Sequence, residues 1–132
     1  MIKQARYRGR DALSALHRKE WAYATRLSQE SLELYLKGLL TTLEIDFPKR
    51  HDFSAFLLEI KDVLPKNVLL KINEIAGAVD ILSQLRSPSF YGDEAKRIEP
   101  DDLIDQKTAE EAVKMLQLVA ETVEADIEAG RI

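Results

Sequence analysis

Apolar residues recur every three or four positions along most of the chain, which is the spacing of one face of an α-helix. The pattern predicts helices over about residues 3–17 and 21–44, and leucines make the apolar stripe of the second helix especially dense. A last helix is predicted from about residue 101 or 108 to residue 129. No segment alternates between apolar and polar residues as a strand would, so the sequence predicts an all-α protein.

The four prolines lie between the periodic segments and divide the chain into helices. Asp52 can cap a short helix that follows Pro48, and Asn67 can cap a longer helix that follows Pro65. The predicted architecture is an up-and-down helical bundle of four long helices plus a short one. Because 132 residues fit one domain, we expect a single helical domain over residues 1–132.

Small residues lie within or beside the apolar face of the predicted second helix, at Ser28, Ser31 and Gly38. Such residues weaken the interpretation of this helix as a coiled coil. They allow another helix to approach closely, either from the same chain or from a second subunit. At the start of the same helix, Trp21 and Tyr23 belong either to the core or to a surface that meets a partner.

Composition and charge exclude several classes of protein. There is no cysteine, so disulfides, thiolate metal sites and cysteine nucleophiles are excluded. No apolar segment is long enough for a secretory signal or a membrane span, and we expect a cytoplasmic protein that does not contact a membrane. Residues 1–61 carry 11 Lys and Arg against 8 Asp and Glu, whereas residues 62–132 carry 8 against 15. The basic N-terminal side is either a surface for an anionic partner or a solvated helix face.

Familiar catalytic and metal-binding motifs are also missing. A di-iron bundle needs paired Glu-x-x-His motifs, but His17 follows Ser14 at that offset and His51 follows Pro48. Neither a Gly-x-Ser-x-Gly motif nor a glycine-rich phosphate loop is present. No cofactor and no metal site are therefore predicted.

The connection over residues 87–100 is longer than a helical bundle needs, and extra length in a loop favours a functional role. It begins within the segment LRSPSFYGDE, residues 85–94. In a purely structural interpretation, Arg86 ends the fourth helix, Ser87 and Pro88 stop it, and the aromatic residues Phe90 and Tyr91 pack the loop onto the bundle.

In the functional interpretation, the same segment is a binding site. Arg86 and Tyr91 line a groove, where the Tyr91 ring stacks on a base or closes the groove. Gly92 permits the turn, and Asp93 or Glu94 contacts a ribose or a cation of a partner.

Three segments together resemble the HEPN family, which are small helical-bundle proteins of prokaryotes. They are SQESLELYLKGLL (residues 28–40), PKRHDFSAFLLEI (residues 48–60) and LRSPSFYGDE (residues 85–94), in the family's order. The first resembles the central helix of the family, with Glu33 and Lys37 at its acidic and basic positions. The second resembles its Pro-x-x-His-Asp loop, and the third its Arg-x-x-x-x-Tyr-Gly segment.

The resemblance implies a homodimer, a minimal nucleotidyltransferase as partner in a toxin–antitoxin-like pair, and in some branches a metal-independent ribonuclease. Those nucleases use an arginine and a histidine separated by four to six residues. Here Arg86 is present, but Tyr91 occupies the position after four intervening residues, and no histidine follows. The only histidine that folding could bring to Arg86 is His51, which is more typical of a structural hydrogen-bonding group.

Metal-free cleavage of RNA requires side chains that take up and release protons near neutral pH, as histidine does. Tyrosine, with a pKa near about 10, is a poor base there, and arginine stays protonated. The sequence therefore predicts a nucleotide- or RNA-binding protein with Arg86, Tyr91, Gly92 and Asp93 as site residues, and two copies of Arg86 and Tyr91 flanking a groove shared by a dimer. The alternatives are a weak ribonuclease with Arg86 as its catalytic residue and a helical adaptor without enzymatic activity.

Overall fold

The computed structural model of the protein describes residues 1–47 and 52–132. The described part of the chain contains four long helices, which are α1 (Ile2–His17), α2 (Trp21–Thr42), α5 (Ile72–Tyr91) and α7 (Gln106–Glu128). The shorter helices are α3 (Phe53–Glu59), α4 (Lys66–Leu70) and α6 (Pro100–Leu103), and one turn of 3-10 helix spans Lys61–Val63. The prediction of an all-α protein with four long helices is confirmed, whereas the short helices number three within the described residues and not one.

Helix α2 lies at the centre of the bundle, with α1, α5 and α7 packed around it. Met1, which immediately precedes α1, contacts Thr41 near the end of α2, whereas Arg8 further along α1 contacts Glu30 in the middle of α2. The two helices are therefore antiparallel. Most of the leucine stripe of α2 is buried in the core, as the sequence predicts.

The small residues of α2 bring α1 close within the same chain. The Ser31 hydroxyl donates a 2.6 Å hydrogen bond to the carbonyl oxygen of Ala5. A Cβ atom on Gly38 would lie 2.8 Å from Cδ1 of Ile2, and one on Gly9 would lie 3.3 Å from the Ser31 hydroxyl. Of the two partners that the sequence allows for these positions, the neighbouring helix of the same subunit is the one observed.

A polar cluster with the buried Tyr35 at its base joins α1, α2 and α7. Arg6 donates two 2.7 Å hydrogen bonds to the Glu124 carboxylate, and the Tyr35 hydroxyl donates a third of 3.3 Å. Burial and then the charge of Glu124 raise the pKa of Tyr35 to about 12, so the hydroxyl stays protonated and can donate. Two arginines of the basic N-terminal helix thus form ion pairs within the chain, Arg6 with Glu124 and Arg8 with Glu30.

The segment after Pro65 differs from the prediction of one helix capped by Asn67. It forms α4 and then α5, with a break at Lys71, and α4 begins after Pro65. The cap is supplied by Asp126 of α7, whose carboxylate accepts hydrogen bonds from the backbone N–H groups of Asn67 (3.2 Å) and Val68 (3.0 Å). The Asn67 prediction is wrong because the capping oxygen comes from a distant residue that no local pattern indicates.

The other predicted cap, Asp52, precedes α3 but makes no side-chain hydrogen bond to it. His51 lies outside the described residues, so its proposed structural role stays a prediction. Within the described residues, every helix is too short or too polar to cross a membrane.

Candidate functional site

A groove of about 720 Å³ lies between α2 and α5, with Phe53 of α3 at its edge. Six charged side chains line it, namely Arg26, Glu30, Glu33, Lys37, Asp80 and Arg86. A groove of this size, within the range of small-molecule sites, is thus already present within one chain.

The wall that carries Arg86 is helical throughout. Helix α5 continues through Pro88 to Tyr91, so the prediction that Ser87 and Pro88 stop the helix is wrong. Proline removes one backbone donor from a helix interior, but here the following turn is held by other bonds. Gly92 N–H donates to the Pro88 carbonyl at 2.9 Å, and the buried Ser89 hydroxyl donates to the Arg86 carbonyl at 3.1 Å. Arg86 and Tyr91 therefore project from one helix and not from a loop.

Arg86 lines the groove, and its one ion pair among the described residues, with Glu33, is long. Its side chain is 71% exposed, and its Nη1 atom lies 4.0 Å from Oε2 of Glu33. That distance is the outer limit of a salt bridge, and an exposed pair of this kind contributes little to stability. The guanidinium can therefore turn to an anionic ligand at small cost.

Glu33 organises the opposite wall. Its carboxylate accepts hydrogen bonds from Lys37 and, at 2.8 Å, from Gln29. Burial alone would raise the pKa of Glu33, but these two hydrogen bonds and the charges of Lys37 and Arg86 outweigh it and hold the pKa below its usual value. Glu33 is thus ionised at neutral pH and shared by two cations.

Aromatic rings form the end of the groove next to Arg86. The Phe90 and Tyr91 rings meet edge to face with centroids 4.5 Å apart. The Arg26 guanidinium lies 4.1 Å from the centroid of the Phe90 ring, a cation–π contact that ties α2 to the last turn of α5. Tyr91 itself is largely exposed, so its ring is open to a ligand.

Gly92 and Asp93 shape the turn that follows. Gly92 has a φ of 69°, and a Cβ atom there would lie 2.0 Å from the carbonyl oxygen of Ile98. Asp93 exchanges two backbone hydrogen bonds of 2.9 Å with Ile98, and its side chain accepts a third from the N–H of Lys96 at 3.1 Å. The structure thus gives Asp93 a role in the turn, and Asp93 is not among the residues that line the groove.

Sequence reasoning missed part of this site. The i,i+4 spacing of Glu33 and Lys37 favours a purely structural pair, and no pattern in the sequence singles out Arg26, yet all three residues line the groove. Their signal is a polar stripe at positions 26, 30, 33 and 37, which a helix places on one face. The stripe could have been predicted from the sequence, but the residues of α5 that face it across the groove could not.

The groove is lined by cations and aromatic rings, groups that suit an anion and a planar ligand. Three cations line it, and the described lining contains no imidazole. Arginine recognises phosphate through paired N–H donors, and tyrosine or phenylalanine rings stack on nucleobases.

Comparisons with known proteins bear on the whole chain. No curated protein and no solved structure matches it. The HEPN domain family matches residues 1–126, nearly the full length of 132. The match includes the central helix, the Arg86 segment and most of α7. This chain belongs to the HEPN domain family.

Proposed function

We propose that the protein binds a nucleotide or RNA in the groove between α2 and α5. Family membership indicates a function related to nucleotides or RNA. The observation that carries the proposal is Arg86, exposed at the groove beside the rings of Phe90 and Tyr91.

In this proposal Arg86 binds a phosphate group and Lys37 adds a second positive charge on the facing helix. The ligand phosphate replaces Glu33 as the partner of Arg86, since the two side chains are 4.0 Å apart and poorly held. Tyr91 stacks on a base, while Gly92 and Asp93 hold the turn that keeps Tyr91 in place.

Replacing Arg86 with alanine should weaken binding of ATP, GTP or a short RNA by roughly 10- to 100-fold, the range expected for losing a hydrogen bond to a charged group. Isothermal titration of the purified protein measures the change. Arg10→Ala is the matched control. The side chain of Arg10 is 69% exposed, similar to the 71% of Arg86, but Arg10 belongs to α1 and does not line the groove. Its affinity should equal that of the wild type.

Equal losses in both variants would mean that only general charge matters, and no loss in Arg86→Ala would remove Arg86 from the site. The same RNA, incubated in excess chelator and analysed on a gel, should remain intact with both proteins. Cleavage by the wild type and not by Arg86→Ala would instead support the ribonuclease alternative, with Arg86 as its catalytic residue.

The assembly proposed from the family is a homodimer that pairs with a minimal nucleotidyltransferase in a toxin–antitoxin-like system. Two copies of Arg86 and Tyr91 then flank a shared groove, although the groove of one chain already has room for a ligand. Sedimentation at micromolar concentration should give the mass of a dimer, and the product of a neighbouring nucleotidyltransferase gene should co-purify. A monomer under those conditions would overturn the shared-groove arrangement.

The adaptor alternative has its own test. If Tyr91→Ala changes neither assembly nor ligand binding, an adaptor role is favoured.

A further inference from the structure

The groove between α2 and α5 has a second aromatic end, which lies on the opposite side of Arg86 from Tyr91. Asp80 of α5 lines this end, and so does Phe53 of α3. Asp80 precedes Arg86 by six residues, which is about 9 Å along an α-helix. Arg86 therefore lies between two places where a planar group can meet an aromatic ring.

The ring of Phe53 is held by two other rings. It meets the Phe47 ring edge to face with centroids 6.2 Å apart, and it stacks on the Phe56 ring with centroids 6.4 Å apart. The Nζ atom of Lys37 lies 5.6 Å from the centroid of the Phe47 ring, which ties this cluster to α2. Phe53 is only half-buried and still lines the groove, so part of its ring is available for stacking.

Asp80 places a carboxylate beside this ring. Its Oδ1 atom accepts a 2.6 Å hydrogen bond from the hydroxyl of Ser54, the residue that follows Phe53. This bond fixes the carboxylate relative to Phe53, yet an ionised carboxylate still has lone pairs available on both oxygens. The exposed side chain of Asp80 can therefore accept further hydrogen bonds from a ligand in the groove.

A carboxylate beside a stacking ring suits guanine better than the other nucleobases. The pairing edge of guanine presents two adjacent donors, N1–H and the N2 amino group, and one carboxylate can accept from both. Adenine and cytosine present one amino donor next to an unprotonated ring nitrogen, whose lone pair repels the second carboxylate oxygen. Uracil presents a single N–H between two carbonyl oxygens. Only guanine therefore satisfies both oxygens of the carboxylate.

The negative charge of Asp80 is compatible with a phosphate at Arg86. Their separation of about 9 Å along α5 is comparable with the screening length of about 8 Å at physiological ionic strength. A basic side chain of a peptide would also suit a carboxylate beside a ring, but Arg86 and Lys37 line the same groove and repel a cation. The combination favours a ligand that carries donors at one end and an anion at the other.

We infer that the Phe53–Asp80 end of the groove binds guanine and that Asp80 determines the base specificity. The inference rests on the proposed function, because the phosphate attached to this nucleoside lies at Arg86. Tyr91, at the other end of the groove, remains available to stack on a second base. The protein should therefore bind GTP more tightly than ATP.

The test is a change of base preference, measured by isothermal titration with GTP, ATP and xanthosine triphosphate (XTP). Xanthine carries a carbonyl oxygen where guanine has its amino group, and Asp80→Asn replaces one acceptor oxygen by an NH₂ donor that matches it. Asp80→Asn should weaken GTP binding by roughly 10- to 100-fold, the range for a pair of hydrogen bonds to a base edge. It should strengthen XTP binding and leave ATP binding unchanged.

Asp101→Asn is the matched control, because Asp101 is an exposed aspartate of α6 that does not line the groove. It should leave the affinities for all three nucleotides as in the wild type. A short RNA with a single guanine, titrated beside GTP, identifies the source of the base. Tighter binding of either ligand, lost in Asp80→Asn, supports guanine recognition and shows whether the base belongs to a strand or to a free nucleotide.

The outcomes separate this inference from the proposed function. If Arg86→Ala weakens binding of all three nucleotides but Asp80→Asn changes GTP and ATP binding equally, the base site is wrong and the proposed function stands. Loss of GTP binding in Asp80→Asn without a gain for XTP would also contradict a direct contact between Asp80 and the base. If Arg86→Ala changes the binding of no nucleotide, the proposed function fails as well.

Discussion

Replacing Asp126 with alanine should lower the free energy of unfolding by about 2 to 4 kcal/mol, because it leaves two backbone N–H donors without their acceptor. Asp126 is fully buried and its carboxylate binds two backbone N–H groups at the start of α4. It also accepts a 3.0 Å bond from Nη1 of Arg131. The alanine variant leaves both amides and the guanidinium without their partner, which urea denaturation will measure.

Two further variants sharpen this experiment. Asp126→Asn keeps the shape but turns an N–H donor toward one of the donors it must bind, so its cost should be intermediate, about 1 to 3 kcal/mol. Glu128→Ala is the matched control, since Glu128 is an exposed carboxylate on the same helix and should change stability by less than about 0.5 kcal/mol. Equal effects of Asp126→Ala and Glu128→Ala would show that the distant cap contributes nothing.

Gly92→Ala should cost at least about 2 kcal/mol of stability, because it combines a strained backbone with a steric clash. The φ of 69° at Gly92 is unfavourable for a side chain. A Cβ atom would also lie 2.0 Å from the Ile98 carbonyl oxygen and 2.9 Å from the Pro100 nitrogen, both of which are backbone atoms. The turn must then open, and Tyr91 should shift away from the groove with it.

The chain contains its own controls for this substitution. Gly77→Ala, inside α5 with nothing within 4 Å of the new atom, should stabilise the protein by about 0.5 to 1 kcal/mol. Gly130→Ala has a φ of 73° but open space, so it separates the backbone strain from the clash. Thermal denaturation of the three variants should rank Gly92→Ala lowest; a Gly92→Ala variant as stable as Gly130→Ala would contradict the clash.

The sequence by itself determined the class of fold and the long helices. Helical periodicity is a local property, so the bounds of α1 and the dense apolar stripe of α2 follow from spacing alone. The resemblance carried by three short segments was enough to indicate the family, and the match over residues 1–126 confirms it. The third of these segments also singled out Arg86 and Tyr91, both of which line the groove.

Tertiary structure decided the features that depend on residues far apart in sequence. Asp126 caps α4 across 58 residues, and Arg86 meets Glu33 across the groove between α5 and α2. Helix α5 passes through Pro88 because the following turn is bound by Ser89 and Gly92 and its Phe90 ring packs against Arg26, contacts that outweigh the local preference of proline to end a helix. Local propensity is weak beside such packing, which is why the groove and the residues of α2 and α5 that face each other across it are visible only in the folded chain.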